Sequence, residues 1–239
     1  MNSLENKKVV IIGGSSGIGL ATAKAVVASG GNVVIASRSE SKLNKAKAEI
    51  GEGVEAYSLD IASEEKVKTF FEKVGKFDAL VITAVAAVMG PFLEIESAKV
   101  RQAFEIKFWG EYYAAKHGAV KLNPGGSITF FSGVASQKPV VNLSAIAAAN
   151  GAVEALARSL AVELKPIRVN VVSPGLVATP AYDGMPEAQR QDYFDSVAAS
   201  LPVKRVAQPE DIAQAVLYLI ENKYTTGTVI DVNGGAFLV

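Results

Sequence analysis

The sequence predicts an α/β protein: a doubly wound parallel sheet of about seven strands with helices on both faces. Three observations carry that expectation. Short β-branched runs alternate with helix-forming segments along the whole chain. Most of the runs are apolar without strict alternation, the pattern of strands buried on both faces. A glycine cluster joins the first run to the first helical segment, where such folds turn tightly. Alternation of this kind builds right-handed βαβ units around a central sheet.

The first strand is "KVVIIG". The helix after it runs from Gly17 and stops at Gly30 and Gly31, because glycine readily takes the conformation that ends a helix. "NVVIAS" and "VEAYSLD" are the second and third strands. Ser63 can cap the next helix, and Glu64 and Glu65 sit in its first turn, where the helix dipole favours carboxylates; Gly75 ends it. "DALVITA", "SITFFS", "IRVNVVS" and "TVIDV" supply the remaining strands. "FEIKFWGEYYAAKHG" reads as a helix, and Asn142 to Leu164 as the start and body of a long one. The stretch 178–201 lacks a strand signal. Lying beyond the carboxyl end of a strand, it is expected to cover substrate. No repeat, low-complexity tract or linker interrupts the chain, so residues 1–239 are expected to form one domain.

Acidic and basic residues balance at 24 each, which leaves no broad basic field for nucleic acid or an anionic membrane. Cysteine is absent, excluding disulfides and thiolate chemistry. With a single histidine, a transition-metal site is not expected, and only a carboxylate site for magnesium stays open. The first apolar run is too short for a secretory signal core. "ALVITAVAAVMG" falls short of the ~20 residues of a membrane-spanning helix. A cytoplasmic protein with a small-molecule substrate is expected, without nucleic acid or membrane partners.

"GGSSGIG" places Gly13, Gly17 and Gly19 around Ser15, Ser16 and Ile18. A diphosphate must approach the backbone closely there, and side chains larger than hydrogen would obstruct it. The N–H groups at the helix start then hold the negative charge. The spacing G-x-x-x-G-x-G differs from the commoner G-x-G-x-x-G; its place between strand and helix makes it specific. About 20 residues on, an acidic residue would grip the adenosine ribose. That place holds Ser37, followed by Arg38 and Ser39. A carboxylate would repel a 2′-phosphate, whereas a guanidinium holds it through two parallel charge-assisted bonds. The expected cofactor is NADP(H), with NAD(H) second.

These residues together resemble the short-chain dehydrogenase/reductase family, over nearly the whole chain. "GGSSGIG" is similar to the family's opening motif. In "SLDIAS", Asp60 and Ile61 would frame the adenine. "IRVNVVSPGLVATP" is similar to the segment that meets the nicotinamide carboxamide, here with Pro174, Gly175, Val177 and Thr179. "TTGTVIDVNGG" is similar to the C-terminal strand and turn. The resemblance implies a single Rossmann-like domain that assembles as a homodimer or homotetramer through two long helices and the C-terminal strand.

The resemblance also implies a catalytic tetrad. In the family a tyrosine gives or takes the hydroxyl proton, and a lysine lowers its pKa and binds the nicotinamide ribose. A serine holds the substrate oxygen, and an asparagine anchors a water relay. "GAVEALARSLAVEL" aligns without gaps, putting the lysine position at Asn150 and the tyrosine position at Ile146. The serine position falls on Gly133, at the family's usual spacing before Ile146, and the asparagine position on Lys107. The family's Asn-Asn-Ala-Gly turn has become Ile82 to Val85, with Ala84 beside the cofactor. None of the four catalytic identities is retained.

Candidate substitutes are Lys107, Ser144 and Tyr182. Ser132 is set aside because one step along a strand reverses the side chain, and His117, Tyr112 and Tyr113 read as surface or packing residues. The swap of lysine and asparagine suggests a reciprocal exchange, in which Asn150 keeps a ribose hydrogen bond and the Lys107 ammonium supplies charge from the opposite wall. Drift in a disused site is the competing account. Three functions are compatible with this pattern. One is a reductase acting on an iminium or an activated double bond. A second is a catalytically silent NADP(H)-binding sensor or partner subunit. The third is an isomerase or lyase with Lys107 or Tyr182 as base.

Overall fold

The computed structural model describes residues 3–83 and 88–239. Its strands are β1 (Lys8–Ile12), β2 (Asn32–Ser37), β3 (Val54–Ser58), β4 (Phe77–Ile82), β5 (Leu122–Phe131), β6 (Arg168–Pro174) and β7 (Val229–Val232). They form one parallel sheet of seven strands in the order β3-β2-β1-β4-β5-β6-β7. Its helices are α1 (Gly17–Ala28), α2 (Glu40–Ile50), α3 (Glu64–Val74), α4 (Ser97–Phe104), α5 (Gly110–Ala119), α6 (Ser144–Glu163), α7 (Glu187–Ser200) and α8 (Pro209–Glu221).

Alternation along β1 explains the layers. Val10 and Ile12 face a cluster with Phe70 and Phe71 of α3, Ala114 of α5 and Val153 of α6. Val9 and Ile11 face Ala23 and Val26 of α1 and Ile212 and Val216 of α8. Both sheet faces are covered, so neither set of alternate residues is polar. The helix ends follow the local chemistry read from the sequence. Ser63 accepts the Lys66 amide to cap α3, Glu64 and Glu65 fill the first turn, and Gly75 leaves it at φ +71°.

Three features depart from the sequence pattern. Strand β5 begins at Leu122, well before "SITFFS"; "NPGG" looks like a turn, yet it is absorbed by a register shift between the Phe77 and Ala79 pairings. Between α4 and α5 the helix widens into a π turn, Glu105–Trp109, which carries Lys107. Helix α6 is long and apolar enough, by length and composition, to cross a membrane, although charged and polar residues interrupt its apolar runs. In the fold it packs Val153 and Ala157 into the core against the sheet.

The winding reverses between β1 and β4. From β1 the chain moves outward through β2 and β3, then returns to the other side of β1 as β4. The loops leaving the carboxyl ends of those central strands diverge, and a crevice opens between them. The segment 178–201 lies beyond β6; it contains the turn Pro180–Tyr182 and α7, none of whose residues is buried.

Phe71 tests this packing. It is 1 % exposed, stacks on Phe77 with centroids 5.7 Å apart, and meets Phe70 edge-on. Phe71→Ala is expected to lower unfolding free energy by about 3–5 kcal/mol, read as a drop in denaturant midpoint with unchanged slope.

Candidate cofactor cleft and reaction site

A cleft of about 310 Å³ opens at the carboxyl ends of the central strands. Gly13, Ser15, Ser16, Gly17, Ile18 and Gly19 form its floor. Gly13 and Gly17 stand at φ +91° and +52°, in the left-handed region. Gly19 is required for a different reason: a Cβ there would lie 2.3 Å from the Gly13 carbonyl oxygen and 2.7 Å from Thr83 Oγ1. The loop therefore folds back on α1 with only hydrogen between. Ser16 precedes α1 in extended conformation, and its side chain makes no capping bond. The first-turn amides of α1 have no intrahelical acceptor and are available to an anion.

Ser37, Arg38, Ser39 and Lys42 line the other end of the cleft. Ser39 caps α2 by accepting the Lys42 amide, which fixes the turn between strand and helix. The buried Ser37 Oγ has no hydrogen-bond partner among the described residues. Two cations so gathered suit a phosphate monoester. Lys42 was missed in the sequence, although its place four residues after Arg38, in the first turn of α2, was the available signal. Asp60 and Ile61 form the wall beneath; Asp60 accepts the Ala62 amide at 3.2 Å and lies 3.8 Å from Lys66 Nζ. Thr83, Ile106 and Thr179 close the remaining side. Thr179 reaches over the loop, for a Cβ on Gly17 would meet its Cγ2 at 3.2 Å. Asn150, Pro174, Gly175 and Val177 lie outside this lining, and Ala84 and Val85 lie outside the described residues.

A second cavity of about 640 Å³ adjoins the first across Thr179 and Pro180, under α7. Its cations are engaged within the wall: Arg190 with Asp183 at 2.8 Å, Arg205 with Asp211 at 2.6 Å, and Lys204 donating to the Ala199 carbonyl at 2.8 Å.

Beyond β5 the chain brings the expected reaction residues together. A Cβ on Gly133 would stand 3.3 Å from Asn150 Nδ2, so strand end and helix α6 touch there. Asn150 is buried, and Ile146, one turn earlier, is half-buried. Lys107 does not present a free ammonium to a wall, as the exchange idea required. Its Nζ donates to Glu111 Oε1 at 2.7 Å and to the Phe131 carbonyl at 2.5 Å, with 2 % of its surface exposed. Glu111 is fully buried, and burial pushes its carboxyl up to about 7 against the opposing pull of Lys107. Its Oε2 has no hydrogen-bond partner among the described residues. Glu111 escaped the sequence reading because a Lys–Glu pair four residues apart on a helix usually stands in solvent.

The other candidates lie elsewhere. Tyr182 packs against Phe194 at 5.4 Å and Tyr193 at 6.2 Å, and burial raises its hydroxyl pKa, making it a weaker proton donor. Ser144 is exposed at the start of α6. His117 shares Glu64 with Lys116, and along α5 Tyr113 stacks on Trp109 while Tyr112 meets it edge-on. Ser136 donates to Glu154 Oε1 at 2.6 Å, a part-buried contact to α6 that the sequence reading did not include. Among the described residues no group of three or more His, Asp or Glu side chains could hold a metal ion.

A family model described as enoyl-(acyl carrier protein) reductase matches residues 13–236. Short-chain dehydrogenase/reductase ATR9 of Stachybotrys chlorohalonatus (strain IBT 40285) is 34% identical over 253 residues, spanning 100% of both chains. The chain belongs to the short-chain dehydrogenase/reductase family. Among solved structures, a small-chain dehydrogenase in complex with NADPH is 41% identical with a TM-score of 0.84, over 98% of this chain and 100% of its own. The reductase/Diels-Alderase MalC from Malbranchea aurantiaca is 30% identical with a TM-score of 0.93, over 100% and 99%.

In this member of the family the Lys107–Glu111 pair is held deep in the protein, where each charge depends on the other. Lys107→Met leaves the Glu111 carboxyl buried without its cation and is expected to cost about 3–5 kcal/mol, whereas Lys107→Met/Glu111→Met should recover most of it. The pH dependence follows from the direction of the Glu111 shift. A carboxyl raised from 4.5 to about 7 contributes stability fully present below 4.5 and lost as pH rises through about 7. Wild-type unfolding free energy should fall across that window in urea titrations, and Glu111→Gln, which mimics the protonated carboxyl, should remove the fall.

Proposed function

We propose that the protein is an NADP(H)-dependent reductase of the short-chain type that works without the family's tyrosine–lysine pair. The observation that carries this reading is the cleft, which joins a glycine-floored loop at the N-terminus of α1 to Arg38 and Lys42 at the end of β2. The NADPH complex of a 41% identical relative supports the same choice of cofactor. When bound, the nicotinamide supplies a hydride to an electron-poor carbon.

The chain's residues would divide the work by position. The α1 amides and Gly13, Gly17 and Gly19 would hold the diphosphate, and Arg38 and Lys42, with Ser37 and Ser39, the 2′-phosphate. Asp60 and Ile61 would bracket the adenine side, and Thr179, with the Pro174–Val177 backbone, the carboxamide. Asn150 would hydrogen-bond the ribose. Ile146 donates no proton, and Gly133 has no hydroxyl to polarise a carbonyl. Losing general-acid help costs roughly 10²–10⁴ in rate, which disfavours plain ketones. An acceptor already carrying positive charge, such as an iminium, becomes a neutral amine on hydride addition and needs no acid. An activated double bond passes its negative charge to a conjugated oxygen and takes its proton afterwards.

The silent-sensor reading is favoured by one observation: the Lys107 ammonium is engaged by Glu111 and Phe131. A homodimeric or homotetrameric, cytoplasmic protein, with 178–201 covering the substrate, completes the proposal.

NADPH fluorescence titration tests the cofactor. Arg38→Ala with Lys42→Ala is expected to weaken NADPH by about 10²-fold, two charge-assisted contacts at roughly 1.5 kcal/mol each, and to leave NADH nearly unchanged. The reaction is tested by following NADPH absorbance with a cyclic iminium, an α,β-unsaturated ketone and a simple ketone. Consumption with either of the first two and little with the third is expected. Tight NADPH binding without consumption in any arm would instead establish the silent reading.

A further inference from the structure

At the edge of the sheet opposite the cofactor cleft lies another cavity, of about 580 Å³, walled by the starts of β1, β4, β5 and β6 and the carboxyl end of α8. The cofactor cleft and the reaction site use none of its residues. Its volume falls within the roughly 300–1,000 Å³ range of small-molecule sites. Gly125, in its wall, stands at φ +76° with open space over its α carbon, so the backbone there is accessible.

The cavity wall holds a buried guanidinium that no carboxylate balances. Arg168 is 6 % exposed, and among the described residues it donates only to carbonyl oxygens. Its Nη1 reaches Leu219 at 2.6 Å and Thr225 at 3.5 Å, and its Nη2 reaches Ile220 at 2.9 Å. Its Nε has no hydrogen-bond partner among the described residues. Lys223 Nζ donates to the same Ile220 carbonyl, also at 2.9 Å, so two cations share one neutral oxygen. A helix carboxyl end carries about half a negative charge, which does not neutralise both. Burial lowers the Arg168 pKa. Burial and then the Arg168 and Lys7 charges lower that of Lys223, against the weaker pull of Asp78 and Glu221.

The two carboxylates in the wall have other partners. Asp78 accepts from Lys7 Nζ, the Lys8 amide and Asn123 Nδ2, and Glu221 accepts the Ser3 hydroxyl. Lys7, Arg168 and Lys223 thus outnumber Asp78 and Glu221 by three to two in the same wall. Positive charge taken out of water without a counter-ion is costly, and a negative ligand relieves that cost.

We propose that this cavity is a second ligand site, which takes a small dianion, a phosphate ester or a dicarboxylate, against the charges of Arg168 and Lys223 with Lys7 at the rim. It stands apart from the reductase reading, because it lies at the opposite edge of the sheet from the cofactor cleft.

Amide NMR on the full chain tests the site. Inorganic phosphate and, in a separate arm, succinate are titrated at ionic strength held constant with chloride. NADPH is present to occupy the Arg38–Lys42 end of the cofactor cleft. The Gly125 and Gly126 amides report on this cavity alone, so the result holds whether or not NADPH binds or is consumed. A saturable shift of these amides is expected in at least one arm, and the arm that saturates names the ligand's chemistry. Lys223→Met is expected to weaken that binding roughly tenfold or more, and Lys223→Arg to keep it within about threefold. Shifts that grow without saturating in both arms would overturn the proposal, as would a saturable shift that Lys223→Met leaves unchanged. A further readout needs no variant: the saturating anion should move the titration of the wild-type Lys223 side chain to higher pH. An unmoved Lys223 titration sinks the site as well.

Discussion

The central constraint is that a seven-stranded parallel sheet must be covered on both faces. Every return connection then crosses a face as a helix, and every strand ends at the same edge. The winding reverses between β1 and β4, so the loops part at that edge and nowhere else along it. Everything chemical follows from the geometry. The glycine loop leaves β1, Arg38 leaves β2, Asp60 leaves β3, Thr83 leaves β4 and Thr179 follows β6. They are far apart in sequence and share one cleft because their strands point the same way.

The architecture was legible because its signals are local and redundant. Apolar runs such as "VVII" gave the strands, Ser63 and Gly75 bounded a helix, and the glycine loop declared itself by the close approach it permits. The features that escaped notice share a non-local cause. The start of β5 depends on how Phe77 and Ala79 pair across a register shift, which "NPGG" does not encode. Lys107 and Glu111 read as an ordinary helical pair, and only the covering of α5 by its neighbours makes them a buried one. The π turn adds a residue that a 3.6-residue period cannot anticipate.

The candidate site was legible in part for the same reason. Backbone-defined positions transfer well, because a glycine at φ +52° or a Cβ-free contact of 2.3 Å leaves few alternatives. Side-chain roles transfer poorly. Lys107 was assigned to a wall and lies in an ion pair; Tyr182 was a candidate base and is packed among aromatic rings. A side chain's chemistry is set by what surrounds it, and those surroundings come from several elements at once.

The residues at the four positions proposed for the tetrad are also not independent of one another. Gly133 and Asn150 are coupled by space: a Cβ at 133 would come within 3.3 Å of Asn150 Nδ2, so any side chain there must displace the amide by a few tenths of an ångström. Lys107 is coupled by charge to Glu111, which is not itself a tetrad position. An asparagine placed at 107 would leave Glu111 buried without its cation, at a cost of several kcal/mol. Placing a tyrosine at 146 would therefore add a phenol to a site whose proposed serine, lysine and asparagine positions still obey other constraints. On the proposed placement, the unit to be exchanged for phenol-based proton transfer has five members, Lys107, Glu111, Gly133, Ile146 and Asn150, and Glu111 is invisible to any comparison restricted to the tetrad.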